Sequence, residues 1–366
     1  MRRKPKVAVA MSGGVDSSVT AALLKSQGWE VIGLTMDFNS SGTGVHSSCG
    51  FRGIEDARLV ADRLGIKHYV LNMRRYLNDY VIRYFIEEYL KGRTPNPCVR
   101  CNQCIKFNIL LNKALSLGAT YLATGHYARI TKVQNSELKV QNYLLKKAKD
   151  KNKDQSYFLY RLGQQQLRHI LFPLGDYTKE QVRSIARRSH LPVAEKSGSQ
   201  EICFLANEDY RNFLMRRLSR KQVELYLKPG PILDTKGNLL GQHHGIALYT
   251  VGQRQGLGIA LGYPAYIIRI DTTRNCLILG RREEAYARQF LVEEPYFVSS
   301  PIKRKVVLKI KIRYNCQEAL AEIFPLKDNL KICFRRPQFA VTPGQSAVFY
   351  NGDNVVGGGV IDKVLC

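Results

Sequence analysis

The feature that most constrains this chain is a glycine- and serine-rich string at residues 12–18, between an apolar run and a helical pattern. Residues 7–11 predict a short buried strand, and apolar residues from Val19 onward recur at helical spacing until Gly28. Glycines let the backbone approach an anion closely, and the first turn of a helix offers unpaired N–H groups and a positive dipole end. The string therefore predicts a cradle for the pyrophosphate part of a nucleotide.

The order of residues in this string separates it from two common phosphate loops. It contains neither the Gly-x4-Gly-Lys-[Ser/Thr] pattern of a Walker A loop nor the Gly-x-Gly-x-x-Gly pattern of a dinucleotide-binding turn. Ser-Gly-Gly-Val-Asp-Ser-Ser after a strand resembles the PP-loop of enzymes that split ATP into AMP and pyrophosphate, usually by adenylating a carbonyl oxygen. We expect Ser12, Ser17 and Ser18 to add hydroxyl donors.

Strand and helix patterns alternate through the first third of the chain. Strands are expected at 30–36, 68–71 and 121–124, and helices at 54–64, 79–90 and 105–117. A further helix at 178–188 opens with a capping box formed by Thr178 and Gln181. The series predicts an α/β fold with a doubly wound parallel sheet, which binds ligands at the carboxyl ends of its strands.

The alternation stops near residue 206, and short strands with glycine turns follow. At 303–313, Leu308, Ile310 and Ile312 face one way and basic residues the other, as in a half-buried strand. We expect a PP-loop catalytic domain at 1–205, a small β-rich central domain at 206–285 and a C-terminal β-barrel at 286–366.

Charge and composition narrow the class of partner. The 366 residues include 56 Lys and Arg against 30 Asp and Glu, a net charge of +26. A surplus this large, spread along a globular chain, favours nucleic acid as a partner over solubility alone. A membrane span is not expected, because no long apolar run occurs. Residues 7–11 are too short for a secretory signal and lead straight into the phosphate loop, so a cytoplasmic protein is expected.

The nine cysteines are not expected to form a disulfide framework. Cys98, Cys101 and Cys104 follow two prolines at the start of the helix expected at 105–117, where a thiolate is stabilised and its pKa lowered. Zinc is a competing interpretation of the Cys98-x2-Cys101 pair, with further ligands from Cys203, Cys49 or His46. We expect buried, chemically silent thiols at Cys276, Cys316, Cys333 and Cys366.

Several blocks along the chain resemble the tRNA-specific 2-thiouridylases, which replace the 2-oxygen of the anticodon wobble uridine by sulfur. These blocks are residues 12–18, 33–36, 94–101, 123–127, 153–159, 202–204, 249–254, 313–314 and 342–346. The PP-loop alone leaves many ligases open, whereas the whole set runs from one end of the chain to the other.

The resemblance implies roles for individual positions. ATP would be held by Ala10, Met11, Ser12, Gly13, Gly14, Val15, Asp16 and Ser17, with Met36 and Gly125 around the adenosine. Mg²⁺ would bridge the phosphates, and Asp16 is either its helper or a solvated carboxylate. Contacts with tRNA would come from the C-terminal barrel and from Asn96, Pro97, Cys98, His126, Lys153, Asp154, Gln155, Arg313, Tyr314 and Gln345.

Two versions of the sulfur chemistry follow from the resemblance. In one, Cys203 carries a persulfide and Cys101 is the nucleophile that releases its outer sulfur by forming a disulfide. In the other, Cys98, Cys101 and Cys203 hold a [4Fe–4S] cluster with one iron free for sulfide. The second version arises because Cys98 stands where many members have an aspartate, a proposed acid/base.

The implied reaction is ATP-dependent adenylation of the C2 oxygen of uridine 34, followed by attack of a cysteine-held sulfur, giving 2-thiouridine, AMP and pyrophosphate. The implied partners are the tRNAs for Lys, Glu and Gln, and a sulfur donor such as a cysteine desulfurase or a sulfur-relay protein. Two rivals are another PP-loop enzyme, such as an amide-forming ligase or a thiolase for a different tRNA position, and a tRNA-binding protein without catalysis.

Overall fold

The structure is a computed structural model and describes residues 5–38, 51–134, 141–197, 202–205 and 208–365. Its strands, numbered in chain order, are β1 (Lys6–Ala10), β2 (Glu30–Asp37), β3 (Lys67–Asn72), β4 (Tyr121–Ala123), β5 (Ala128–Gln134), β6 (Gln141–Lys147), β7 (Ile170–Leu171), β8 (Gly230–Asp234), β9 (Leu239–His243), β10 (Tyr266–Asp271), β11 (Cys276–Gly280), β12 (Tyr286–Phe297), β13 (Val306–Lys311), β14 (Ala319–Pro325), β15 (Leu330–Phe339), β16 (Ser346–Asn351) and β17 (Asn354–Leu365).

The α-helices are α1 (Val15–Ser26), α2 (Phe51–Leu64), α3 (Arg74–Leu77), α4 (Arg83–Leu90), α5 (Pro97–Cys101), α6 (Leu111–Ser116), α7 (Gln164–Leu167), α8 (Lys179–Arg188), α9 (Tyr210–Arg217) and α10 (Arg220–Tyr226). Segments of π-helix lie at Asn78–Ile82 and Asn102–Leu110. The chain divides into two compact units, the first made of residues 1–81, 98–208 and 353–356, and the second of residues 82–97, 209–352 and 357–366.

The first unit is built on a five-stranded sheet in the order β3-β2-β1-β4-β7. Each neighbouring pair is parallel, which confirms the predicted doubly wound sheet. Ala10 pairs with Leu34, and Val9 pairs with Ala123, so the carboxyl ends of β1, β2 and β4 meet at one edge. Residues that follow these ends, such as Ser12 and Gly125, are therefore brought to that edge.

Apolar side chains on the strands and helices form the core of this unit. Val7, Val9, Val19, Val60 and Val182 are buried in one cluster, which draws on the sheet and on α1, α2 and α8. The predicted helix ends are confirmed, because Gly28, Gly65 and Gly118 each follow a helix with positive φ. The capping box that opens α8 is confirmed as well.

Three features of the first unit were not predicted. The antiparallel hairpin β5–β6 follows β4, and the edge strand β7 is only two residues long. The helix expected to begin at Ile105 begins instead at Pro97 and continues as π-helix through Leu110, with a kink at Phe107. Proline fits the first turn of a helix, so Pro97 opens the helix where the sequence suggested only an approach to it.

The second unit contains two β structures. Strands β10, β11, β8 and β9 form a four-stranded sheet around Ile232, Ile267 and Leu277. Strands β12, β15, β14, β13, β16 and β17 hydrogen-bond in that order, and the pairing of β17 with β12 closes a six-stranded barrel. The barrel confirms the predicted C-terminal architecture, with Ile310 and Ile312 buried and Lys309 exposed.

Helices α9 and α10 open the region that was expected to be a small β-rich domain. Asp209 caps α9, and Ser219 forms a capping box with Gln222 at the start of α10. These caps are visible in the sequence, but the basic composition of the segment hides the apolar face of α9, where only Phe213 and Leu214 are buried. The boundaries 1–205, 206–285 and 286–366 stay a prediction.

Candidate active site

The turn between β1 and α1 has the backbone shape that a phosphate cradle needs. Gly13 has φ of +70°, and a Cβ there would lie 2.2 Å from the carbonyl oxygen of Gly53. Only glycine fits this position, because both the backbone conformation and the space exclude a side chain. Gly14 then caps α1, whose first N–H groups have no partner within the helix.

The three serines of the turn differ in what their hydroxyls do. Ser17 Oγ and Ser18 Oγ both donate to the carbonyl oxygen of Gly14, at 3.1 and 2.9 Å. Ser17 Oγ also accepts from the backbone N–H of Ser12 at 3.2 Å. Ser17 and Ser18 are buried and Ser12 is exposed. Ser12 is thus the serine whose hydroxyl stands at the surface, while the other two shape the turn.

Asp16 lies in a small polar cluster. Both of its carboxylate oxygens accept from Lys179 Nζ, at 2.6 and 2.8 Å, and Oδ1 also accepts from the hydroxyl of Tyr127 at 2.8 Å. Burial, and then the charge of Asp16, raise the pKa of Tyr127, so its hydroxyl stays protonated as a donor. Sequence reasoning did not identify Lys179 as a site residue, because it predicted only that Lys179 follows the residue that caps α8.

A second cation, Lys196, lies against the loop. Its Nζ donates to the carbonyl oxygen of Gly13 at 3.0 Å and also to the Asp56 carboxylate. Sequence reasoning missed it too, because no motif surrounds it. Two ammonium groups therefore lie beside residues 13–16, each paired with a carboxylate, and lysine ammonium groups at such a turn can donate to a bound polyphosphate.

Gly125 and the two methionines lie at the same sheet edge. A Cβ on Gly125 would come within 2.8 Å of the Ser17 backbone nitrogen, so β4 ends in close contact with the first turn of α1. Met11 is buried, and its N–H donates to the carbonyl oxygen of Leu34 at 2.8 Å. Met36 is partly exposed near the end of β2. The structure thus brings Met36 and Gly125, predicted to lie around the adenosine, to the edge that holds Met11 and the loop.

His126, a predicted tRNA contact, sits among aromatic rings. Its Nδ1 is 2.7 Å from Thr124 Oγ1, and its ring centroid lies 5.6 Å from that of Phe107 and 5.9 Å from that of Phe172. Burial, and then the charge of Lys106, hold the pKa of His126 well below its usual value. The ring is therefore neutral at pH near 7.

Cys98 and Cys104, in the helix at residues 97–110, are not thiolates favoured by a helix start. Burial raises the pKa of Cys98, opposed in part by Lys106, and burial also raises the pKa of Cys104. The expectation of lowered pKa values is wrong for these two thiols, because loss of solvent outweighs the helix end and the nearby cations. Cys101 is buried, and Cys203 is partly exposed in a turn at residues 203–205.

Zinc and a [4Fe–4S] cluster are the metal groups that the sequence offers for these cysteines. Among the residues that the structure describes, no three His, Cys, Asp or Glu side chains are grouped as metal ligands. Cys98, Cys101 and Cys203 therefore do not form the ligand set that a zinc ion or a three-thiolate cluster needs. His46, Cys49 and Cys366 lie outside the described residues.

Three predicted tRNA contacts are consecutive residues after β6. Lys153 is exposed. Asp154 is buried and accepts from the N–H of Ala148 at 2.9 Å and from Ser156 Oγ at 2.8 Å. Gln155 Oε1 accepts from the N–H of Tyr127 at 3.0 Å. Asp154 and Gln155 thus hold backbone in place with their side chains, and Lys153 presents its ammonium outward.

The remaining predicted contacts belong to the second unit. Gln345 Nε2 donates to the carbonyl oxygens of Thr94 and Pro95, at 3.0 and 3.2 Å, and so fixes the segment that contains Asn96 and Pro97. Pro97 is buried and Asn96 is partly exposed.

Arg313 and Tyr314 follow β13 in the same unit. Arg313 Nη2 donates to the carbonyl oxygens of Val251 and Ala340, at 3.2 and 2.7 Å, and to the Thr342 hydroxyl. The ring of Tyr314 lies 5.5 Å from Lys311 Nζ. The guanidinium of Arg313 is therefore anchored to two segments of its own unit, one at Val251 and one at residues 340–342.

No helix among the described residues is long and apolar enough to cross a bilayer.

Sequence models of three domain families match successive parts of the chain. The tRNA methyl transferase HUP domain matches residues 5–207, the tRNA methyl transferase PRC-barrel domain residues 213–281, and the aminomethyltransferase beta-barrel domain residues 287–361. A solved 4-thiouridine synthetase–RNA complex with bound ATP aligns with 58% of this chain and 50% of its own at 16% identity, with a TM-score of 0.37. That likeness is too low to support an argument.

Full-length relatives are far more similar. The tRNA-specific 2-thiouridylase of Acetivibrio thermocellus is 51% identical over 365 residues, which cover 98% of this chain and 99% of the relative. A tRNA-specific 2-thiouridylase of Caldanaerobacter subterraneus is 50% identical over 98% of both chains. Identity at this level along the whole length shows that the chain belongs to the tRNA-specific 2-thiouridylase family.

Proposed function

We propose that the chain uses ATP to replace the C2 oxygen of uridine 34 in tRNA by sulfur. The observation that carries the proposal is the 51% identity to a tRNA-specific 2-thiouridylase over nearly the whole chain. The turn at residues 11–14 and the two lysines beside it support ATP use, because they supply glycine backbone, helix N–H groups and positive charge at one sheet edge.

The first chemical step we propose is adenylation of the base. The uracil C2 oxygen attacks the α-phosphorus of ATP, the bond to the β-phosphate oxygen breaks, and pyrophosphate leaves while the N3 proton is lost. A urea-like carbonyl resists attack, whereas its adenylated form has a good leaving group. The N–H groups at the start of α1 would hold the negative charge that develops on the pyrophosphate.

The second step transfers sulfur. The outer sulfur of a Cys203 persulfide attacks C2, the C2–oxygen bond breaks and AMP leaves. The Cys101 thiolate then attacks the inner sulfur, the S–S bond of the persulfide breaks, and a Cys101–Cys203 disulfide remains while N3 regains a proton. A thiol reductant must reduce that disulfide before the next turnover. A sulfur donor, such as a cysteine desulfurase or a sulfur-relay protein, recharges Cys203.

Metal groups have a limited part in this proposal. Mg²⁺ would arrive with the ATP phosphates, and Asp16 is not assigned to it because its carboxylate is paired with Lys179. The three thiols do not form a ligand group among the described residues, so no step is routed through an iron–sulfur cluster.

Recognition of tRNA would use the basic surface of a chain with a net charge of +26. The base to be modified is unpaired in the anticodon loop and can be turned into a pocket, as proteins that read single-stranded RNA require. Lys153 is an exposed candidate for a phosphate contact. The tRNAs for Lys, Glu and Gln are the proposed substrates, and the cytoplasm is the proposed compartment.

The test measures 2-thiouridine in bulk tRNA by mass spectrometry, from cells whose 2-thiouridylase is replaced by this chain. Cys101→Ser and Cys203→Ser should each abolish the modified nucleoside, because each removes one sulfur from the proposed relay. Cys333→Ser is the matched control and should leave it unchanged, since Cys333 lies on β15 and outside the relay. Normal 2-thiouridine with Cys203→Ser would overturn the site assignment.

A further inference from the structure

Three neighbouring strands of the first unit are linked by a chain of side-chain hydrogen bonds. Thr35, in β2, places its Oγ1 2.8 Å from the carbonyl oxygen of Met11, the residue that follows β1. The same Oγ1 lies 2.7 Å from Nε2 of His68, in β3. Thr35 is 3% exposed, so water has little access to these bonds.

The number of available protons fixes which group donates in each of these two hydrogen bonds. A carbonyl oxygen can only accept, and Thr35 has one hydroxyl proton, so that proton goes to Met11. The lone pairs of Thr35 Oγ1 then accept from His68, which must carry its proton on Nε2. Burial lowers the pKa of His68, and Arg58 lowers it further while Asp62 raises it, so the ring is neutral near pH 7 with Nδ1 unprotonated.

Gly33 leaves room for the side chains of Met11 and His68 to pack against β2. A Cβ on Gly33 would lie 2.6 Å from Met11 Sδ and 3.0 Å from His68 Cδ2. Both side chains therefore pack over the bare backbone of β2. Besides the bond from its N–H to the Leu34 carbonyl oxygen, Met11 is therefore held by its own carbonyl oxygen through Thr35 and by its side chain over Gly33.

Met11 immediately precedes Ser12 and the turn that binds phosphate in the proposed function. We propose that Thr35 and His68 are positioning residues for ATP, acting through the Met11 carbonyl to set the start of the phosphate loop and the adenosine side of the pocket. This inference rests on the proposed function of residues 12–17 in binding ATP. Neither side chain has to touch ATP, because both act through the hydrogen bonds that hold Met11.

The test separates ATP binding from turnover. Thr35→Val keeps the shape of the side chain and removes the hydroxyl, so the KM for ATP should rise about fivefold with kcat within about twofold, as expected for loss of one or two hydrogen bonds. Thr35→Ser retains the hydroxyl and should restore the KM. His68→Leu should resemble Thr35→Val, whereas His68→Gln, whose Nε2 can still donate, should lie close to wild type.

Thr131→Val, on the exposed face of β5, is the matched control and should change neither constant. The dissociation constant for ATP, measured without tRNA, gives the same comparison in variants that turn over slowly. If the wild type binds ATP and both Thr35→Val and His68→Leu keep its KM and dissociation constant, the positioning role of Thr35 and His68 is wrong. A wild type that binds no ATP would overturn the proposed function itself, and with it the positioning role of Thr35 and His68.

Discussion

Lys179 Nζ contacts both carboxylate oxygens of Asp16, at 2.6 and 2.8 Å, although 163 residues separate them in the chain. The side chains are 18% and 34% exposed, so the pair is neither a surface ion pair nor fully buried. Because Asp16 is the second residue of α1 and Lys179 the first of α8, the pair links the starts of two helices in the first unit. It thereby fixes the acidic residue of the phosphate loop.

Lys179→Met should lower the free energy of unfolding by about 1–2 kcal/mol, between the values for exposed and buried pairs, since it leaves a half-buried carboxylate with one donor. The KM for ATP should also rise, because an ammonium beside the loop is lost. Arg187→Met, which breaks an exposed pair with Glu195, is the control and should change neither quantity. Equal behaviour of the two variants in denaturant titration would contradict a special role for Lys179.

Gly13→Ala should abolish ATP binding. The new Cβ would meet the Gly53 carbonyl oxygen at 2.2 Å, and the backbone must also hold φ of +70°. Gly28→Ala is the matched control, with φ of +81° and no atom near its Cβ, so it carries only the conformational cost of about 1–2 kcal/mol. If isothermal titration calorimetry finds the same ATP affinity in the two variants, the close contact at Gly13 is not needed for ATP binding.

The loop and the parallel sheet were predictable because their signals are local. A strand, a turn with Gly13 and a helix beginning near Val15 occupy one short stretch, and strand alternation then places Met36 and Gly125 at the same edge. Lys179 and Lys196 could not be found in this way, because their contacts with residues 13–16 depend on how α8 and the segment after it pack on the sheet.

The raised pKa of the Cys98 thiol could not be predicted from the sequence either. Cys98 lies in the first turn of a helix, which alone would lower its pKa, but the sequence does not show how much protein covers it. The hairpin β5–β6 was missed because the alternation of apolar and polar residues in β5 stops after Thr131, where Lys132 stands at a position that should be apolar and Val133 at one that should be polar.

Arg313→Lys should destabilise the second unit nearly as much as Arg313→Met, by about 2 kcal/mol, because an ammonium cannot reproduce the guanidinium bonds to Val251, Ala340 and Thr342. Lys311→Met, which removes a charge over Tyr314, is the control and should have little effect on unfolding. Should Arg313→Lys retain full stability while Arg313→Met loses tRNA affinity, Arg313 acts mainly by its charge on tRNA.

Stability should fall as the pH drops below about 6.5. Burial lowers the pKa of His68, His126 and His243 from the usual 6.5, so the unfolded chain takes up protons that the folded chain resists. The contribution of these neutral rings is therefore complete above pH 6.5 and is lost as the pH falls toward the lower folded values.

His126→Gln should flatten this pH dependence of the free energy of unfolding. His190→Asn is the control, because His190 is exposed with φ of +49°, a conformation that asparagine tolerates. Denaturant titrations at several pH values compare the slopes. An unchanged slope in His126→Gln would mean that this ring does not resist protonation in the folded protein.

ATP-dependent thiolation is tested by following AMP, pyrophosphate and 2-thiouridine in the same reaction. Reduced enzyme is given ATP, Mg²⁺, a sulfur donor and an unmodified anticodon stem-loop with uridine at the wobble position, or the same stem-loop with cytidine there. We expect one AMP and one pyrophosphate for each 2-thiouridine formed, and none of the three products with cytidine. Sulfur incorporation without ATP consumption, or no ATP consumption with the uridine substrate, would contradict ATP-dependent thiolation.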